Sequence, residues 1–159
     1  MAQLNIALPV EPLTSARLAG FVELLEPVNA FADAAPGFVW RLQTEDGDAT
    51  AVRGFGDDRL IVILTVWESL ESLAAYVYGG FHAEVMRRCR EWFARMRNPY
   101  TVLWWVPAGQ RPTVADAEQR LAALLEHGPS PYAFTVRRAF PRPGQAAEQR
   151  SDEDWFCPA

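Results

Sequence analysis

Lysine is absent from this sequence of 159 residues, so all 15 of its basic side chains belong to arginine. Without lysine the chain cannot form the Schiff base that carries pyridoxal phosphate, and it lacks the lysine of a Walker phosphate-binding loop. Acidic residues outnumber basic ones, and the net charge is −5. Nucleic-acid-binding domains are normally strongly basic, so no nucleic-acid partner is expected.

Cysteine and histidine are scarce, with two residues of each. Cys89 lies on the apolar stripe of a predicted helix and Cys157 lies near the end of the chain, so we expect no disulfide framework. The histidines, His82 and His127, are far apart, and the sequence contains neither an HExxH motif nor paired CxxC motifs. A zinc site built from protein ligands alone is therefore not expected.

Long apolar runs are missing as well. No window approaches the roughly 18 apolar residues of a membrane span, and the first ten residues lack the features of a signal peptide. Half of the residues are nonetheless hydrophobic, and a chain of this length can bury a core without disulfides or metals. These features predict a soluble cytoplasmic protein with no membrane partner.

The periodicity of the apolar residues predicts the element order β-α-β-(β)-β-α-α-β-α-β. The predicted strands span residues 2–8, 36–43, 59–67, 100–107 and 131–140, with a weaker strand over 50–55. The predicted helices span residues 15–35, 69–78, 81–97 and 113–128. This order begins as a split βαβ unit, which indicates an α+β fold with a ferredoxin-like antiparallel sheet and helices on one face.

A sheet of this kind leaves its second face bare and usually needs a partner. We therefore expect a homodimer in which two sheets pack face to face, as in a dimeric α/β barrel. A single domain is predicted over residues 1–140. Residues 141–159 are rich in proline, glutamine and acidic residues, so they are expected to form a flexible C-terminal tail.

Alternation along the predicted strands separates two faces of the sheet. The apolar face, expected to pack on the helices, carries Leu4, Ile6, Phe38, Trp40, Leu42, Leu60, Val62, Leu64 and Val66. The mixed face carries Gln3, Asn5, Arg41, Gln43, Ile63, Thr65 and Trp67. Polar groups among large apolar ones are typical of a ligand pocket, although a solvated face or a dimer interface would show the same pattern.

Arg41 is the most informative residue of the mixed face, because a buried guanidinium needs a partner. Its candidate partners are Asp33, Glu68, Glu91 and an anionic ligand.

His82 lies on the inward stripe of the predicted helix 81–97, together with Val85, Met86 and Cys89. The other side of this helix carries arginine and glutamate at i,i+4 spacing, which is typical of a solvated face. An inward histidine is either a hydrogen-bonded core residue or a functional group. The preceding Gly79-Gly80 permits close approach of backbone or ligand, and the helix start favours the neutral imidazole.

Five stretches carry a resemblance to a known family: LNIAL, VNAFADAAPGFVWRLQTEDGDAT, VWESLESLAAYVYGGFHAEVMRRCREWF, YTVLWWVPAGQRPTVADAEQRL and GPSPYAFTVRRAF. They resemble a bacterial domain-of-unknown-function family, number 3291, over nearly the whole chain except the tail. That family is grouped with the dimeric α/β-barrel superfamily. The resemblance therefore implies a ferredoxin-like fold and no particular activity.

A second resemblance rests on ILTVWES, followed by a helix with an aromatic residue and then a histidine. This pattern is similar to that of the haem-degrading and antibiotic-biosynthesis monooxygenases. In the haem-degrading type, the site holds an asparagine on the first strand, an aromatic residue and an iron-ligating histidine. The resemblance implies Asn5 and Tyr76 for the first two. The iron-ligating histidine of that type corresponds to a position near Met86, one helical turn after His82. The resemblance therefore implies haem ligation by His82 only if the ligand is displaced by one turn.

Together these patterns predict a small-molecule enzyme, in the first place a monooxygenase-like oxidation of an apolar or aromatic, natural-product-like substrate, with haem or no cofactor. The catalytic candidates are His82, as base or haem ligand, and Asn5 and Arg41, which would bind an oxygen or carboxylate. The candidates for substrate binding are Trp40, Trp67, Tyr76, Tyr78, Met86, Glu91 and Trp105. Two alternatives stay open: a cofactor-free isomerase or cyclase that uses His82 or Glu91 as acid/base, and a ligand-binding dimer without chemistry.

Overall fold

The computed structural model describes residues 1–44, 54–96 and 100–144. The strands are β1 (Ala2–Ala7), β2 (Phe38–Arg41), β3 (Ile61–Trp67) and β4 (Thr101–Trp104). The helices are α1 (Ala19–Asp33), α2 (Leu70–Tyr78), α3 (Gly80–Arg87), α4 (Cys89–Trp92) and α5 (Val114–His127). Among these residues, no helix combines the length and the apolar character that crossing a membrane requires.

The strands form one antiparallel sheet in the order β2-β3-β1-β4. Leu4 of the central strand β1 lies opposite Leu64 of β3 and opposite Val102 of β4. This strand order, with one helical segment after β1 and another after β3, is the ferredoxin-like arrangement. The predicted α+β fold class is therefore confirmed. Helices α1 and α2 of this unit lie on one face of the sheet, as predicted.

Helix ends follow the sequence where a capping side chain is available. The Ser69 hydroxyl accepts a hydrogen bond from the backbone N–H of Ser72 and starts α2. Thr113 and Asp116 form a reciprocal capping box at the start of α5. Gly128 follows the last residue of α5 with a φ of 75°, a conformation that favours glycine.

Two predicted elements differ from the structure. The predicted helix 81–97 is divided at Arg88 into α3 and the short α4. It ends at Trp92, because the chain is extended from Phe93 and pairs with the segment that follows β1. There the N–H of Ala94 donates to the carbonyl of Leu8. The predicted strand 131–140 is reduced to isolated bridges, including that between Phe134 and Leu103 of β4. Most of the predicted weak strand, residues 50–53, lies outside the described residues.

The apolar face of the sheet packs against α5. Leu4 and Leu64 are buried in one cluster with Leu121 and Leu124 of α5. Helices α1 and α2 cover the mixed face instead, so the expectation that the apolar face packs on them is wrong. The reason is a fifth helix, after β4, that closes the apolar face. The described chain thus covers both faces of its sheet, and the homodimer stays a prediction without the support of a bare face.

A register shift in β2 breaks the predicted alternation. Phe38 pairs with Trp67 on the mixed face, where the two ring centroids lie 5.2 Å apart. Trp40 pairs with Val66 and packs against the core of the apolar face, as does Leu42. The prediction that Phe38 shares a face with Trp40 is therefore wrong, because a bulge inserts one residue between them.

Cys89 is disulfide-bonded and carries no free thiol. The expectation that the chain forms no disulfide is therefore wrong at this residue. The second cysteine, Cys157, lies outside the described residues.

Candidate functional site

A cavity of about 1080 Å³ lies between the mixed face of the sheet and helices α1 to α4. Most of its lining is apolar, and much of that lining comes from α1, through Phe21, Leu24, Leu25 and Val28. The volume lies slightly above the range of about 300–1,000 Å³ that is usual for small-molecule sites. A largely apolar cavity of this size can enclose an aromatic or aliphatic molecule of several rings.

The floor of the cavity is polar and tightly hydrogen-bonded. The indole Nε1 of Trp67 donates to the Thr65 hydroxyl at 2.9 Å, and this hydroxyl donates to Oε1 of Gln3 at 2.8 Å. Two residues along β1, the Asn5 Oδ1 accepts a hydrogen bond from the Thr101 hydroxyl at 3.1 Å. Gln3, Asn5 and Thr65 all line the cavity. The alternation of β1 and β3 therefore brings amide groups to a wall that is otherwise apolar.

Arg41 reaches the cavity from the edge strand β2. Its Nε and Nη2 donate to the two carboxylate oxygens of Asp33, at 2.9 and 3.3 Å. Of the candidate partners that the sequence offered, the structure thus selects Asp33, the last residue of α1. The remaining guanidinium nitrogen of Arg41, Nη1, is buried and has no hydrogen-bond partner among the described residues. A buried guanidinium nitrogen without an acceptor is uncommon, and it suits an oxygen of a bound molecule.

His82 and Tyr76 form the helical side of the site. Their ring centroids lie 4.4 Å apart, and the His82 Nδ1 donates to the carbonyl oxygen of Val77 at 3.2 Å. Because Nδ1 carries the hydrogen, Nε2 is the unprotonated nitrogen of the neutral ring. Burial lowers the pKa of His82 below its usual value, and the hydrogen bond to Val77 opposes this effect in part. The sequence predicted a lowered pKa from the helix start, whereas burial is its main cause.

Tyr76 stays protonated for a related reason. Burial, and to a smaller extent the negative charge of Asp33, raises the pKa of the Tyr76 phenol. The phenol is therefore a donor at neutral pH, while His82 beside it is an acceptor through Nε2.

The double glycine before His82 makes a tight turn between α2 and α3. A side chain at Gly79 would collide with the carbonyl oxygen of Ala75, and Gly80 has a φ of 37°. This turn brings the carbonyl of Val77 within hydrogen-bonding distance of the His82 ring. The glycines thus position the histidine. The close approach that they permit is between the backbone of Gly79 and the carbonyl oxygen of Ala75.

Half of the predicted site residues line the cavity. These residues are Asn5, Arg41, Tyr76, His82 and Met86. They come from β1, β2, α2 and α3, which the ferredoxin-like topology brings around one space.

The other predicted site residues lie outside the cavity lining among the described residues. They are Trp40, Trp67, Tyr78, Glu91 and Trp105. Trp40 packs on the apolar face, and Trp67 lies beside Thr65 on the mixed face, where it is buried and donates a hydrogen bond to Thr65. Trp105 donates its indole N–H to the carbonyl of Phe140 at 2.9 Å. Tyr78 is 46% exposed. Glu91 is exposed and pairs with Arg88 at 3.0 Å.

Two parts of the site were not predicted from the sequence. Gln3 was assigned to the same face as Asn5, but no role was derived for it. The apolar repeat of α1 was recognised as helical, and it contains Phe21, Leu25 and Val28. The signal for both was present in the periodicity, but periodicity does not distinguish a residue that packs from one that borders a cavity.

The described residues contain no group of three or more histidine, cysteine, aspartate or glutamate side chains that could hold a metal ion. A haem group needs a single protein ligand, and His82 fits that role in one respect. A ligating histidine usually donates its other ring nitrogen to a carbonyl or carboxylate, as His82 does to Val77.

A family model, described as a domain of unknown function (DUF3291), matches residues 1–151. The family resemblance predicted from the sequence is therefore confirmed. Curated proteins give no match to the chain. A solved structure of a protein from Chloroflexus aurantiacus J-10-fl, assigned as an antibiotic biosynthesis monooxygenase, is similar, with a TM-score of 0.44 and 19% identity. The similarity covers 70% of this chain and 95% of that one.

Proposed function

The chain belongs to the DUF3291 family, and we propose that it is an enzyme that carries out a monooxygenase-like oxidation of an apolar or aromatic small molecule. One observation supports this proposal most. A neutral His82, held through Nδ1, borders a large and mainly apolar cavity whose other walls carry Asn5 and Arg41. A base on one side and hydrogen-bond donors on the other are the groups that proton removal from an apolar substrate requires.

In this proposal the substrate rings lie against the apolar side chains of α1. Nε2 of His82 removes a proton from a hydroxyl group or from an acidic carbon of the substrate. Asn5 and the Nη1 of Arg41 donate hydrogen bonds to the substrate oxygen on which negative charge then develops. Tyr76 packs against His82 and excludes water from the imidazole.

Dioxygen is the oxidant in the oxidation. One of its oxygen atoms forms a new bond to a ring carbon. The other leaves as water with two hydrogen atoms, one from the substrate hydroxyl and one from that carbon, so that a phenol becomes a quinone. The protein's part is to bind the substrate, to remove the proton and to keep bulk water away from the reacting ring.

The test is oxygen uptake with a panel of hydroxylated naphthalenes and anthracenes under isotope-labelled dioxygen. We expect one labelled oxygen atom in the product, and a loss of rate of about 100- to 10,000-fold in His82→Ala, as for removal of a general base. The matched control is His127→Ala, because this histidine is exposed at the end of α5. Equal rates for His82→Ala and the wild type would contradict the proposal.

A second candidate function uses the same base without oxygen. A cofactor-free isomerase or cyclase needs His82 as acid and base and the same donors for an enolate oxygen. A product that forms equally well under argon would favour this reaction. Glu91, the other acid/base candidate for it, is exposed and bound to Arg88, so the structure supports His82 alone in that role.

Haem is a cofactor candidate through His82 as its iron ligand. Bound haem would supply the activation of dioxygen, and Arg95 of the cavity lining offers a cation for a propionate group. After incubation with haemin and removal of unbound haemin, the wild type should then retain a Soret band that His82→Ala lacks. If the wild type retains no haemin after this step, haem is not its cofactor and the cofactor-free reaction remains the proposal.

A further inference from the structure

We propose that Gln3 binds a carbonyl oxygen of the ligand, and that Trp67, acting through Thr65, positions Gln3 for this role. The proposal rests on the proposed function, since it concerns the molecule bound in the same cavity. It assigns a ligand-binding role to a buried residue of β1 and a positioning role to a buried tryptophan beside the cavity floor.

The orientation of the Gln3 amide follows from the hydrogen bonds that connect it to Thr65 and Trp67. An indole N–H can only donate, so the Thr65 hydroxyl oxygen accepts from Trp67 at 2.9 Å. The hydroxyl hydrogen is then free to donate, and it does so to the Gln3 amide at 2.8 Å. The atom of Gln3 that accepts must be Oε1. Gln3 is therefore left with its Nε2 donors for the cavity that it lines.

Asn5 repeats this arrangement two residues further along β1. Its Oδ1 accepts from the hydroxyl of Thr101 on the neighbouring strand β4, so its Nδ2 is left to donate. Residues two apart on one face of a strand are about 7 Å apart. The floor thus offers two amide donors in a row, and both amide oxygens are already engaged.

This arrangement selects for oxygens that only accept hydrogen bonds. A ketone or quinone carbonyl satisfies an amide N–H and brings no hydrogen of its own that needs an acceptor. A hydroxyl group at the same place would have to direct its hydrogen away from both amides. The ligand class that fits the floor is therefore an aromatic or alicyclic ketone or quinone, which includes the quinone that the proposed oxidation forms. A phenol substrate fits the floor once His82 has removed its hydroxyl proton.

Two probes of the same carbon skeleton test this inference. Menadione carries two carbonyl oxygens on a methylnaphthalene skeleton, and 2-methylnaphthalene carries none. Calorimetric titration of each probe is compared between the wild type, Gln3→Leu and the control Gln43→Leu, in which the exposed Gln43 lies outside the cavity lining. For Gln3→Leu we expect an affinity for menadione about 3- to 10-fold lower, as for one lost hydrogen bond. The affinity for 2-methylnaphthalene should not fall, and Gln43→Leu should leave both affinities unchanged.

The positioning role of Trp67 has its own test. Trp67→Phe keeps a ring in the core and removes the indole N–H. The Thr65 hydroxyl then lacks the donor that fixes its orientation, so the Gln3 amide can rotate by about 180° and exchange its oxygen and nitrogen. Affinity for menadione should fall while that for 2-methylnaphthalene stays within about 2-fold, a change small beside that of one hydrogen bond. Thr65→Ser retains the hydroxyl and should bind menadione as the wild type does. A purely structural role of Trp67 would lower both affinities equally.

The outcomes separate this inference from the proposed function. If neither probe binds the wild type, the proposed function fails, because the cavity does not take up an apolar molecule. If both probes bind and Gln3→Leu binds menadione as the wild type does, the inference is wrong and the proposed function stands. If Gln3→Leu does not fold, NMR of the wild type decides the matter. The Gln3 side-chain NH₂ signals should then shift with menadione and not with 2-methylnaphthalene; signals that stay in place with menadione would overturn the inference.

Discussion

The two faces of the sheet are built from the same strands, but one face is close-packed and the other borders a cavity. On the apolar face, Leu4 and Leu64 are fully covered by neighbours that include α5. On the mixed face, Asn5 and Ile63 lie opposite each other in the register and border a cavity of about 1080 Å³. Neighbouring residues of β1 or β3 therefore lie on opposite faces, one in the close-packed core and the next at the wall of the cavity.

The difference between the two faces shows why apolar residues fill one of them and polar residues occur on the other. A close-packed interior stabilises the fold through apolar contacts alone. The mixed face, which borders the cavity, gives up part of this packing, and it carries polar groups that need partners. The structure supplies these partners from neighbouring strands and from α1, through Thr65, Thr101 and Asp33. The close-packed core and the proposed site thus lie on opposite sides of one sheet.

Truncating one residue on each face tests the comparison most strongly. Leu4→Ala, on the apolar face, should lower the free energy of unfolding by about 2–5 kcal/mol, because a packed side chain leaves a new cavity. Ile63→Ala, on the cavity wall, should cost about 1–2 kcal/mol, because its side chain already makes fewer contacts. Urea denaturation of both variants measures the difference. Equal losses would mean that the mixed face is as closely packed as the apolar one.

The next largest effect is expected at the ion pair between Asp33 and Arg41. Asp33→Asn removes the negative charge from a guanidinium whose side chain is only 17% exposed. We expect the free energy of unfolding to fall by about 1 kcal/mol, since the half-exposed carboxylate is partly screened by water. Asp58→Asn, at an exposed aspartate, is the matched control and should change nothing. A similar loss in both variants would rule out a specific contribution of the pair.

A smaller effect concerns pH. Because burial lowers the pKa of His82 in the folded state, the unfolded chain binds a proton at a higher pH than the folded one. Stability from this residue is present above the unfolded histidine pKa of about 6.5 and is lost as the pH falls below it. The free energy of unfolding should therefore decrease less between pH 7 and pH 5 in His82→Gln than in the wild type. Parallel pH profiles would show that His82 titrates alike in both states.

No effect is expected at Glu91. Its carboxylate is exposed on the outer side of α4 and pairs with Arg88 on the same surface. Glu91→Gln should therefore retain both the activity and the stability of the wild type, as measured by oxygen uptake and urea denaturation. A loss of activity here, with His82→Ala unaffected, would reverse the assignment of the base.

Sequence periodicity was sufficient for much of the fold. The alternation in β1 and β3 gave the two faces correctly. The predicted helices 69–78 and 113–128 begin at Ser69 and Thr113, the residues that cap α2 and α5. It failed where contacts between distant segments decide the structure. The end of α4 depends on backbone pairing with Leu8, and the bulge in β2 moves Phe38 to the other face.

The same limit applies to the site. Asn5, Arg41 and His82 could be selected because a polar residue on an otherwise apolar stripe is visible in the sequence. Trp40 was selected although the alternation placed it on the apolar face, and it does pack there. No such assignment was made for Trp105, which hydrogen-bonds to Phe140 outside the cavity lining. The wall formed by α1 could not be predicted, because an apolar helix stripe looks the same over a packed core and over a cavity.

The central claim is that His82 borders a ligand site and is not packed in a core. NMR of the histidine ring protons tests it directly, since the chain has two histidines and a His127→Gln variant assigns both signals. On titration with 2-methylnaphthalene, the His82 signal should shift and saturate while the His127 signal stays in place. Binding seen by calorimetry without any shift of the His82 signal would contradict the claim.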